Sequence, residues 1–67
     1  MYLIIFQLQK NDQLIKLKIN RYLKRIRANM IIKGVWRHEN ASLLINLASW
    51  IKNRGGKAYV IEENIIY

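Results

Sequence analysis

Tyr2-Leu3-Ile4-Ile5-Phe6-Gln7-Leu8 is a nearly continuous run of β-branched, aromatic and aliphatic residues. Such a run has no polar face to give to water, so it predicts a strand in the middle of a sheet, covered on both sides. The rest of the chain must supply neighbouring strands and a layer to pack on them. With 67 residues, the chain makes one domain, 1–67, and hides only about 60% of its unfolded surface on folding. It has no cysteine, which removes disulfides and thiolate zinc as staples, and its single His and four acids offer little for another structural metal. Association with a second copy is the expected source of extra stability.

Periodicity places the remaining elements. Asn11 or Asp12 caps a helix on which Ile15, Ile19, Tyr22, Leu23 and Ile26 form one apolar stripe. Leu14 and Leu17 project from its outer side, either toward a second subunit or as tolerated exposed leucines. Met30 to Arg37 reads as a second strand, with Ile31, Lys33, Val35 and Arg37 on one face, Ile32, Gly34 and Trp36 on the other, and Gly34 as a bend or bulge. Asn40 and Ser42 supply cap chemistry for a second helix with Leu43, Leu44, Leu47, Ala48, Trp50 and Ile51 inward. Gly55 or Gly56 stops it. Lys57 to Ile61 is a third strand, Glu62-Glu63-Asn64 a turn or bulge, and Ile65-Ile66-Tyr67 a short apolar end that wants a partner. The order predicts an α+β sandwich with both helices on one face of a small sheet. The opposite face, left apolar, is most cheaply buried against the same face of a second copy, as an isologous homodimer.

Charge points to the partner. Of the twelve Lys and Arg residues, seven lie between Lys10 and Arg27, where the only acid is Asp12. Lys16, Lys18, Arg21, Lys24, Arg25 and Arg27 are opposite and beside the apolar stripe, and like charges at i,i+3 and i,i+4 spacing repel. An anionic partner relieves that repulsion, whereas an ordinary solvated helix face would mix in acids. With a net charge of +8 and pI near 10.2, these six residues are the candidate nucleic-acid contacts, made to backbone phosphates of DNA or RNA rather than to base edges. The second helix has an outer face of Ser42, Asn46, Ser49 and Asn53 with only Lys52 charged, so binding should be one-sided. Trp36, Trp50, Tyr22 and Tyr59 each fall on an apolar face and read as core rather than as base-stacking platforms.

Meanwhile Met1-Tyr2-Leu3-Ile4-Ile5-Phe6, the basic helix, and Lys33-Gly34-Val35-Trp36 running into a helix resemble the small CRISPR-associated adaptation protein, the non-integrase partner of the Cas integrase. VapD-like toxin ribonucleases and winged-helix regulators with an appended domain share that core. The resemblance implies a prokaryotic protein with a ferredoxin-like fold of order βα(β)βαβ, dimerised through its sheets, whose terminal strand completes the partner's sheet, a part open to Ile65–Tyr67. It also implies that an Asp ending the first strand would hold a divalent ion in the nuclease members. Here that position is Gln7, followed by Leu8 and Gln9, and a neutral amide does not replace carboxylate charge at a magnesium site.

Other chemistry has little support. Asp12 reads as a helix cap. His38 and Glu39 are adjacent and so point to opposite faces of an extended segment; they read as a surface turn, not a dyad. Ser42 and Ser49 lack a base at readable spacing, and Gly55-Gly56 lacks the pattern of a phosphate-binding loop. The expected protein has no cofactor, no metal and no catalytic residue. Its expected role is as a non-catalytic, sequence-independent nucleic-acid binder. The alternatives are an adaptor that meets an acidic protein through Leu14, Leu17 and the basic face, and a metal-dependent endonuclease with unexpected ligands. A membrane-surface role ranks last, because the apolar stripe is committed to a core. No run approaches the ~20 apolar residues of a membrane span, and no signal-peptide pattern opens the chain, so a soluble cytoplasmic protein is expected.

Overall fold

A computed structural model of the chain describes residues 1–9 and 12–64. Its elements run β1 (Tyr2–Gln7), α1 (Gln13–Arg25), β2 (Asn29–Ile32), β3 (Val35–His38), α2 (Ala41–Asn53) and β4 (Lys57–Glu62). The four strands form one sheet in the order β2-β3-β1-β4, with every neighbouring pair antiparallel. This is the ferredoxin-like α+β arrangement: β3 returns between β1 and β2, and β4 closes the other side of β1. The apolar β1 is therefore central, as its composition requires.

Met30 to Arg37 is not one bent strand. The chain reverses at Lys33-Gly34, so that Ile32 pairs with Val35 and Met30 with Trp36. Gly34 is the reason: its φ of 85° is the left-handed conformation that turns needing positive φ at their third residue assign to glycine. A Cβ there would also stand 3.0 Å from the Phe6 carbonyl oxygen. A register shift between Met30 and Ile32 marks a bulge, which breaks the simple alternation expected of this segment.

Both helices lie on one side of the sheet. Ile4, Trp36 and Ala58 rise from the strands to meet Ile19 and Leu23 of α1 and Leu44, Leu47, Ala48 and Ile51 of α2 in a single buried cluster. Ile15, Tyr22 and Ile26 pack on its margin, which confirms the apolar stripe of α1. The Asp12 Oδ1 atom caps this helix, accepting from the Leu14 and Ile15 amides at 3.0 and 3.3 Å. The other cap candidate, Asn11, lies outside the described residues. Asn40 caps α2 through the Ser42 amide at 2.9 Å.

The two helices end alike. At α2 the Gly56 amide bonds to the Ile51 carbonyl and the Gly55 amide to the Lys52 carbonyl, with Gly55 at φ 82°. At α1 the Ala28 amide bonds to Leu23 and the Arg27 amide to Lys24, with Arg27 at φ 62°. Both are Schellman endings, but α1 places an arginine where glycine is favoured.

The second sheet face carries Leu3, Ile5, Val35, Ile32, Tyr59 and Ile61, and no layer of the described residues covers it. Ile32 is 63% and Tyr59 60% exposed, so Tyr59 stands on an apolar face as read from the sequence but not in the core. Among the described residues, β1 is covered on one face only. The apolar end Ile65–Tyr67 lies outside the described residues.

Candidate nucleic-acid interface

The helical period divides the six candidate cations among different places. Lys18, Arg21 and Arg25 leave α1 on the flank nearest α2, where they line a groove of about 470 Å³ with Tyr22 from the same helix and Asn46, Leu47 and Trp50 from α2. Lys24 is exposed on α1. Arg27 lies past the helix, whose cap is Ile26, and its left-handed backbone turns the chain toward β2. Lys16 is half-buried on the other flank, lining a recess of about 490 Å³ that Phe6, Lys33 and Trp36 also line. The sequence placed all six on or beside one basic face; the structure brings three together, keeps two nearby in the chain, and sets Lys16 apart.

Charge within the protein leaves most of this surface unneutralised. Among the described residues, no carboxylate pairs with Lys18, Arg21, Lys24, Arg25 or Arg27, all of which are exposed. Arg37, by contrast, forms a bidentate pair with Glu63, Nε to Oε1 at 2.8 Å and Nη2 to Oε2 at 2.6 Å. That pair crosses the open sheet face and ties the exit of β4 to β3. Lys24 and Arg25 also lie in the last turn of α1, where a positive charge meets the negative end of the helix dipole.

The groove is held by polar and aromatic contacts. The Tyr22 hydroxyl donates to the Leu43 carbonyl oxygen at 2.9 Å, which fixes the spacing of the two helices at this point. The Arg54 guanidinium lies 3.7 Å from the centre of the Trp50 ring and donates to the Trp50 carbonyl oxygen at 3.3 Å. Arg54 borders the adjacent recess with Asp12 and Ile15, not the groove itself. Trp50 thus lines the groove, packs against the core and carries Arg54 over its ring. Sequence reading put Trp50 on an apolar face as core; it does pack against the core, but it also lines the groove. The Asn46, Trp50, Arg54 series at i,i+4 spacing was the available signal, since it runs along the flank of the apolar face.

Other candidates occupy structural posts. His38 ends β3, not a surface turn: its Nε2 lies 2.6 Å from the Ile26 carbonyl oxygen, and its Nδ1 accepts the Asn40 amide at 2.9 Å. These partners assign the proton to Nε2 and join the end of α1 to the cap of α2. Glu39 is exposed beside it, and no dyad forms. Gln7 ends β1 opposite Lys57 of β4. Among the described residues, no three His, Cys, Asp or Glu side chains gather as a metal site, and no helix is long and apolar enough to cross a membrane.

Neither a family model, nor a curated protein, nor a solved structure matches this chain.

Proposed function

We propose that the protein is a non-catalytic, sequence-independent nucleic-acid binder that works as a homodimer, in the manner implied by its resemblance to the CRISPR adaptation subunit. The observation that carries the proposal is the set of exposed cations on α1 and its exit, Lys18, Arg21, Lys24, Arg25 and Arg27, none paired with an acid among the described residues. Charges of one sign on a rigid helix suit a polyanion, whose phosphates take up the field that the protein leaves uncompensated. Such contacts read charge and shape; they contain no base-edge recognition.

The open sheet face suits the homodimer of this reading. A second copy over Leu3, Ile5, Val35, Tyr59 and Ile61 would bury the open sheet face by self-complementary contact and leave both helix layers outward. Two basic helices would then face solvent and could follow one polymer.

The test is the salt dependence of binding to a DNA or RNA oligonucleotide. Neutralising ~6 phosphates gives a slope of log affinity against log salt near −5 on duplex DNA and near −4 on a single strand. A slope shallower than about −2 rejects the mechanism.

One observation favours a second reading. Leu14 is 70% and Leu17 45% exposed beside the cations of α1, a surface that also fits an acidic protein partner. Saturable protein binding without nucleic-acid affinity would establish that adaptor role. Magnesium-dependent cleavage of the same oligonucleotides, lost on adding chelator, would instead establish the endonuclease reading.

A further inference from the structure

The α1–α2 groove differs from a plain cationic patch. Lys18, Arg21 and Arg25 supply three positive charges along one wall, while Trp50 and Asn46 come from the other. Its volume of about 470 Å³ falls within the ~300–1,000 Å³ of sites that take small ligand groups. A stacked duplex would use the cations alone, because its bases are hidden behind the backbone. The indole and the carboxamide would then have no role. An unstacked nucleotide engages both walls, with phosphates on the cations and the base against the indole, beside Asn46.

We propose that this groove is a single-strand site, in which one base leaves its stack to lie against Trp50 while its flanking phosphates engage Lys18, Arg21 and Arg25. The proposal rests on the nucleic-acid reading and adds the strandedness of the ligand. Trp50 is suited to this because it is half-buried and packed on the core, so little ordering remains to be done on binding. The Arg54 guanidinium 3.7 Å from its ring centre holds it further, by cation–π attraction. The Tyr22 to Leu43 bond keeps the groove open at a fixed width. Base stacking is tolerant of sequence, since every base presents a π face, and so agrees with a binder that does not select among sequences.

The experiment compares a 20-nucleotide oligothymidylate with a 20-base-pair duplex, using the full chain and two variants in dilute buffer. Trp50→Leu keeps apolar bulk against the core and removes the aromatic plane; Trp50→Phe keeps both. Native circular dichroism is required of each. Trp50→Leu should weaken oligothymidylate binding about tenfold and leave duplex binding within twofold, while Trp50→Phe stays within about threefold on both. Oligothymidylate should also quench tryptophan fluorescence in the native chain and not in Trp50→Phe, because the remaining Trp36 is buried. Equal affinity of Trp50→Leu and native protein for the single strand, or quenching that survives in Trp50→Phe, overturns the single-strand site and leaves the general reading intact. If neither polymer binds the native chain, the proposed function itself fails.

Discussion

Arg27 shows how one residue carries a structural cost and a candidate role together. It stands at φ 62° in a position that closes the α1 C-terminus, where a side chain meets its own backbone and glycine does not. Holding a non-glycine residue there costs on the order of 1 kcal/mol. Arg27→Gly relieves that strain, offset in part by the greater freedom of glycine in the unfolded chain. The expected outcome is a gain of about 0.5 kcal/mol in chemical unfolding. The same variant should lower the magnitude of the salt slope by about 1, as one phosphate contact is lost. A variant that loses stability would show that the Arg27 side chain contributes to the fold in its own right. The arginine was legible in the sequence as a charge, but its backbone was not, because no glycine announces this helix end.

For the elements, the apolar periodicity located both helices and the central strand to within a few residues. The sharpest case is α1, where Asp12 caps two amides and the last turn ends in Lys24 and Arg25. Asp12→Ala should cost about 1 kcal/mol, read as a lower midpoint in thermal or urea unfolding with α1 as the first segment to exchange its amides. Asp12→Asn should retain most of the stability, since the amide oxygen still accepts. An unchanged midpoint in Asp12→Ala would show that the cap is dispensable. The β2–β3 hairpin was the element misread. Ile31 and Ile32 before Gly34 and Val35 and Trp36 after it give one uninterrupted strand signal, and a lone glycine signals a bulge or a reversal equally well. Whether it reverses depends on partners elsewhere: the Phe6 amide donates to the Gly34 carbonyl oxygen at 2.9 Å, a bond that only an assembled sheet supplies.

At the scale of the whole molecule, the described residues leave an apolar sheet face open, and a 67-residue domain has a thin margin against unfolding. A specific dimer removes about 800 Å² from each partner, so covering this face would add materially to stability. Ile5 lies at its centre, on β1, and is already 37% exposed in the single chain. Ile5→Lys should therefore fold but sediment as a monomer, with like charges set against each other across the two-fold axis. Native protein sedimenting as a monomer at tens of micromolar would sink the paired scaffold and leave the basic helix to act alone.

The amino-acid order determined the central strand, the two helix faces, a cap for α1 at Asn11 or Asp12, the glycine stop after α2 and the excess of cations on one segment, because each depends on spacing within a dozen residues. The tertiary structure decided which cations share a groove, that Lys16 stands away from it, that Arg37 is neutralised by Glu63, and that Trp50 borders the charged wall. Those outcomes depend on how two helices settle on a sheet. A shift of one flank moves a side chain from core to groove without altering its place in the local pattern.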